Sequence, residues 1–318
     1  MMNLIKNELI KWLRRTSFYV MSGILILLSV VSIVFIYMMD TGTPQERNGW
    51  ETSDWRQSLE MENESIREML TSNGHFGNVN YMEKQLAINE YRLANDMEPN
   101  YENSVWSYMD SNIGLTSVVT LFVIIIAGGI VASEFTWGTI KLLMIRPISR
   151  SKILLSKYVA VLIFSFIFYC ILFGTSFIVG LIGFGFSNVP ELLYTNGTVY
   201  ELHPFLSILF KIVLSFFPVI MFATIAFMIS TVFRNNSLAI GLSLFLLFTG
   251  TQITQLVGTK YEWAKFSPFA NIDFNAYFNS FPIVEGTTLL FSIIMFIIYF
   301  TVFMFISFLT FKKRDIAA

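Results

Sequence analysis

The densest set of interaction-capable side chains lies in one run, Glu134-Phe-Thr-Trp-Gly-Thr-Ile-Lys-Leu-Leu-Met-Ile-Arg-Pro-Ile-Ser-Arg-Ser-Lys152. Lys141, Arg146, Arg150, Lys152 and, just beyond, Lys157 alternate with Phe135, Trp137, Ile140, Leu142, Leu143, Met144 and Ile145. A plain solvated loop does not carry so many apolar side chains. The chemistry on offer is recognition: a short helix over Thr139 to Ile145 that either lies on lipid or docks in a partner's groove. Arg146-Pro147 biases that helix to stop, and Ser149 can cap the next one. The basic surplus alone is also what the positive-inside rule produces.

Catalytic chemistry finds little support. The two histidines, His75 and His203, lie far apart, and the single cysteine, Cys170, sits in an apolar run. A metal cluster needs several donors at fixed spacing, so no metal site is expected. The carboxylates of Glu46 to Glu68 fall on a solvated face, and His203-Pro204 reads as interfacial. A phosphate-cradling loop needs Gly-x-x-x-x-Gly-Lys-Ser/Thr, and the chain contains no Gly-Lys pair. No catalytic residue, bound cofactor or nucleic-acid partner is expected, so the chain reads as a non-enzyme.

The elements that position this run are membrane spans. Of 318 residues, 54% are hydrophobic and 14% charged, whereas soluble domains carry charge at about a quarter of positions. A bilayer core of about 30 Å needs about 20 apolar helical residues. Six runs qualify, at 17–39, 112–132, 158–186, 205–229, 238–257 and 288–311, which predicts an all-α polytopic membrane protein. Lys211 lies near an end of the fourth run and is expected to snorkel to the headgroups. Pro218 in the same run removes a helix hydrogen bond and is expected to bend the helix. Lysine and arginine collect in segments 1–16, 133–157, 230–237 and 312–318, which places both termini in the cytoplasm.

Residues 1–16 form an amphipathic helix. Leu4, Ile5, Leu9, Trp12 and Leu13 make one stripe, with Lys6, Lys11, Arg14 and Arg15 largely off it. Such a helix lies in the membrane interface, either as a topology anchor or as an elbow touching a cytoplasmic partner. The polar segment 40–111 lies outside and predicts a small helical cap. One helix runs from Glu46 to Leu70, ended by Asn73-Gly74; another runs from Asn80 to Asp96, ended by Pro99. Residues 187–204 read as an outer loop. The aromatic-rich segment 258–287 reads either as an interfacial belt or as short helices dipping into the outer leaflet. Thr251, Gln252, Thr254 and Gln255 either line an exit path or bond neighbouring helices.

The pattern Glu134-x-x-x-Gly138-Thr139-x-Lys141, then Arg146-Pro147-x-Ser149-Arg150, resembles the signature of ABC-2-type permeases, the bacterial family of bacitracin-resistance and sodium-extrusion exporter subunits. The interfacial N-terminal helix and six spans fit that family's layout. The long outer segment 40–111 departs from its smaller members. The resemblance implies a plasma-membrane exporter subunit that couples through Glu134, Gly138, Thr139, Lys141, Arg146, Pro147 and Arg150 to a separate ATP-binding cassette ATPase, which binds the ATP. It implies that Glu134 pairs with a base of the ATPase or of the elbow helix, and that Gly138 allows close backbone approach. It also implies a second permease copy or a paralogue as dimer partner, with membrane lipid around both. The apolar spans point to hydrophobic or amphipathic cargo such as an antimicrobial peptide, an antibiotic or a lipid. The alternative is a non-transporting sensor or immunity protein that binds an extracellular peptide through 40–111.

Overall fold

In the computed structural model the described residues are 1–39, 55–71, 79–99, 103–139, 148–195, 197–278, 282–284 and 286–313. The chain is mostly helical, and six of its helices are long and apolar enough to cross a membrane. We number the described elements in chain order. Helix α1 is Met2–Leu13 and α2 is Thr16–Met39. Helices α3 (Trp55–Thr71) and α4 (Val79–Asn95) follow. Next comes a continuous rod, α5 (Val105–Ser111), a 3-10 turn (Asn112–Leu115) and α6 (Thr116–Thr136). The remaining long helices are α7 (Arg150–Phe184), α8 (Pro204–Phe233), α9 (Asn236–Gly258) and α10 (Leu289–Lys313).

Helices α6, α7 and α8 form the centre of the bundle; α2, α9 and α10 lie outside it with much of their surface exposed. With no water to compete, small residues and hydrogen bonds join membrane helices. The Ser230 hydroxyl of α8 donates to the Gly128 carbonyl (2.6 Å) and accepts the Ala132 N–H (3.0 Å) of α6. Tyr158 of α7 bonds Thr224 of α8 at 2.8 Å. Gly128 lets α9 approach: a Cβ there would lie 2.9 Å from Ile240. Helix α8 runs through Pro218 as one helix.

Several boundaries differ from the sequence expectation. The second span begins at Val105, inside the expected outer segment, because Ser104 and Ser107 form a capping box there. The third begins at Arg150 rather than 158, so the loop 133–157 is shorter. Its first two turns carry charges that mask hydropathy, yet they bury Ile153 and Leu154. Ser149 occupies the N-cap position without a side-chain cap bond. Helix α4 ends before Pro99, where Asp96 adopts φ 56° and Met97 N–H bonds the Arg92 carbonyl. The expected loop 187–204 contains an antiparallel hairpin, β1 (Glu191–Thr195) and β2 (Thr198–Leu202), so the fold is not wholly α. Its signal was present in Asn196-Gly197 between β-formers, and Gly197 takes φ 81°. Among its described residues, segment 258–287 holds 3-10 turns at Glu262–Phe266, Pro268–Ala270 and Asn275–Tyr277.

Helices α3 and α4 pack together and onto the bundle. Arg67 pairs with Glu90 (2.7 Å), and Arg56 with Asp96, across α3 and α4. Tyr91 of α4 donates to Glu201 of β2 (3.0 Å). Glu46 to Asp54 and Asn73-Gly74 lie outside the described residues, as does His75. His203 does local work, accepting the Phe205 N–H at 3.2 Å to cap α8.

Candidate functional site: a charged clamp at the end of α6

The start of α7 bonds the end of α10, with Arg150 Nη1 3.2 Å from the Lys312 carbonyl. Helix α1 lies at the same end, against the first turns of α7. Its stripe turns inward: Trp12 is buried and meets Phe164 of α7 edge-on at 6.5 Å, with Leu9 and Leu13 packed beside it. This placement carries two α1 charges, Glu8 and Lys11, to the end of α6.

Glu134 occupies the last turn of α6 and is 3% exposed. One of its oxygens accepts from Lys11 of α1 and from Lys157 of α7 (3.1 Å); the other accepts from Thr139. Lys157, 1% exposed, also pairs with Glu8 at 2.8 Å. Two carboxylates and two ammonium groups thus balance in a site where Glu134 and Lys157 are buried and Lys11 reaches water. Desolvating each ion costs several kcal/mol, offset here by shared pairing. The second oxygen of Glu8 is buried without a hydrogen-bond partner. The clamp is therefore uneven: Glu134 has three donors, whereas Glu8 depends on Lys157 alone.

Around the clamp, Arg15 lies over Trp12 (4.2 Å) and Trp137 (5.3 Å), so a single guanidinium bridges α1 and the chain leaving α6. Arg234, at the end of α8, lies 4.5 Å over Phe135, whose ring also meets Phe311 of α10. Gly138 turns the chain out of α6 with φ 70° and has open space around its Cβ position. A glycine suits this left-handed backbone, which side chains rarely adopt.

Of the residues singled out from sequence, Glu134 and Thr139 meet in the clamp, Gly138 makes its exit turn, and Arg150 bonds α10. Lys141, Arg146 and Pro147, with the expected helix Thr139 to Ile145 beyond its first residue, lie outside the described residues. Thr254 is buried and bonds Ser267, between two of the 3-10 turns, at 2.9 Å. Gln252 and Gln255 point outward from α9, and Thr251 is half-buried. Glu8 and Lys157 belong to this candidate site, and sequence reasoning passed over them as topology charges. The available signal was a lone lysine at 157 within an apolar helical period.

Lys211 departs most from expectation. It is buried rather than snorkelling, 2.7 Å from Glu191 of β1 and 3.1 Å from Asp110 of α5. Nearby, Lys84 of α4 donates to the Phe278 carbonyl at 2.7 Å. Burial, and then the Lys211 charge, hold its pKa below the usual lysine value.

Comparison with known proteins places this architecture. The chain is 39% identical to the Bacillus subtilis (strain 168) protein described as "Uncharacterized protein YhcI", over 321 aligned residues and the full length of both chains. It is 30% identical to "Uncharacterized membrane protein YdbK" of the same organism over 211 residues, 66% of this chain and 82% of that one. A family model described as "Protein of unknown function (DUF2705)" matches residues 77–317, which include Glu134 and Lys157 but not the α1 half of the clamp. With that match covering most of its length, the chain belongs to the DUF2705 family.

Proposed function

We propose that this chain is the membrane-spanning permease subunit of an ATP-driven, ABC-2-type exporter. It sits in the bacterial plasma membrane with both termini and the clamp on the cytoplasmic side. The observation that carries the reading is the anchoring of Glu134 by the elbow helix and by Lys157. A segment used as a handle must be rigidly joined to the helices it moves, and the chain that leaves α6 at Thr139 is held at its root by α1 and α7. The greasy, basic run from Ile140 to Pro147 is the docking element for a separate ATP-binding cassette ATPase. A pull there tilts α1, α6 and α7 as one body. The sequence lacks the Gly-Lys of a phosphate loop, so the nucleotide belongs to the partner.

A second copy, or a paralogue, completes the transporter. Gln252 and Gln255 support this, since exposed amides on a membrane-spanning helix need a protein partner or a water-lined path. Cargo is hydrophobic or amphipathic. The sensor reading keeps one observation in its favour: α4 is bonded to β2 and to the Phe278 carbonyl, so a peptide bound to α3–α4 would act on the spans directly.

The test is affinity purification from native membranes in a mild detergent, comparing the parent chain with one whose residues 140–147 are a Gly/Ser linker. An ATPase should accompany the parent and be absent from the linker variant, while both remain monodisperse. Failure of the parent to retain any ATPase refutes the proposal.

A further inference from the structure

At the far end of the bundle the same kind of chemistry recurs with the opposite balance. Here one buried cation is held by two carboxylates that reach water. The Lys211 side chain is 7% exposed, whereas those of Asp110 and Glu191 are 45% and 39% exposed. The carboxylates can do without the lysine, because water solvates them. The lysine cannot stay where it is without them, since an unpaired buried ammonium costs several kcal/mol. Its alternative is to carry the end of α8 out to water.

The surroundings fit such a movement. Asn275 donates to the Lys211 backbone carbonyl (3.1 Å), and Phe278 meets Phe210 edge-on at 4.9 Å, so the 275–278 turn lies across this end of α8. Lys84 hooks α4 onto the same turn through the Phe278 carbonyl. Two turns further along α8, Pro218 has no N–H to offer the Leu214 carbonyl, which weakens the helix there. Beyond Pro218, α8 is fixed to α7 by Thr224 and to α6 by Ser230. Before it, the ties include Lys211, the Tyr169 hydroxyl on Ser215 and on the Ile212 carbonyl, and ring contacts of Phe210, Phe216 and Phe217. Pro218 thus separates a part of α8 bonded to α6 through Ser230 from a part whose charged tie to α5 and β1 is Lys211.

We propose that Lys211 is a positioning residue that keeps the far end of α8 closed against α5 and β1, with Pro218 as the hinge and α3–α4 riding on the closure through Lys84. This rests on the exporter reading for its purpose, an outer closure that must open to release cargo, but not for its test.

The test places a single thiol behind the closure. Ser215 is buried one turn inward of Lys211. In a Cys170→Ser background, Ser215→Cys is labelled with a membrane-impermeant maleimide, in intact cells and in inside-out vesicles. Asp110→Asn with Glu191→Gln should speed labelling by about tenfold or more, as expected when a buried ammonium loses the carboxylates that hold it. Lys211→Arg, which keeps the charge and its partners, should stay near the parent rate. Glu191→Gln alone should give a smaller rise in the same direction, and it carries the test if the double variant does not accumulate. Faster labelling on either side supports the closure, and the side identifies the orientation. Unchanged labelling in the folded carboxylate variants, or Lys211→Arg labelling as fast as they do, overturns it. No ATPase takes part, so absence of an ATPase partner removes the exporter reading and leaves this result standing.

Discussion

Replacing Lys157 with methionine removes the cation shared by Glu8 and Glu134 while keeping a side chain of similar length. Glu134 keeps two donors, Lys11 and Thr139. Glu8 keeps none: one oxygen loses its 2.8 Å bond to Lys157 and the other already lacks a partner. Breaking a buried pair in place costs about 3–5 kcal/mol. Glu8 rides on α1, however, so the chain can relieve the cost by undocking α1 instead of unfolding the bundle. Undocking gives up the burial of Trp12 and part of Leu9 and Leu13, with about 1.5–3 kcal/mol per fully buried apolar side chain, and it takes Lys11 from Glu134, which water then reaches through the opened site. The two quantities are comparable, so the variant should open α1 locally. A shift of about 3 kcal/mol raises the open population by about a hundredfold. Amide hydrogen exchange in detergent or nanodiscs reads this directly: residues 4–13 should exchange about a hundredfold faster, with α6 and α8 unchanged. Adding Glu8→Gln removes the stranded charge and should restore most of the protection, giving a coupling energy of about 1–3 kcal/mol between the two sites. If residues 4–13 exchange at the parent rate in Lys157→Met, or if Glu8→Gln deepens the defect, the clamp does not hold α1 and the reasoning fails.

Two further outcomes test the local geometry. Gly138→Ala should cost about 1–2 kcal/mol because its φ of 70° crowds any Cβ, whereas Gly138→Asn should cost less, since asparagine tolerates that region; thermal unfolding of the purified variants ranks them. Gly128→Ala should destabilise by about 1–3 kcal/mol, since its Cβ meets Ile240 at 2.9 Å and the Ile240 backbone N at 3.3 Å. Gly174→Ala, with nothing within 4 Å, should instead stabilise by up to about 1 kcal/mol. Equal effects at the two glycines would show that α6 and α9 are not in close contact.

The six long helices were legible because length and apolar content are properties of the chain alone. Their ends were less so, for a reason visible at Arg150 to Lys157. Hydropathy averages a charged turn into a loop, while the helix places Arg150 and Lys152 outward and Ile153, Leu154 and Lys157 inward. The hairpin at 191–202 was readable from its Asn-Gly turn and was passed over because apolar runs dominated the reading. The clamp was not readable, because nothing in a linear sequence links positions 8, 134 and 157; only the packing of α1 across α7 brings them together. That packing also changes the meaning of the charges used to orient the chain. Glu8 and Glu134 are consumed within the clamp, together with Lys11 and Lys157. The charges left exposed at that end, among the described residues, include Lys6, Arg14, Lys152, Lys312 and Lys313, all positive. The described acids at this end, Glu8 and Glu134, are paired with lysines, so the face presented to lipid or to a partner is more uniformly cationic than the sequence total indicates. A partner that docks there must bring acidic groups, and weakening of that docking by salt is the signature to expect.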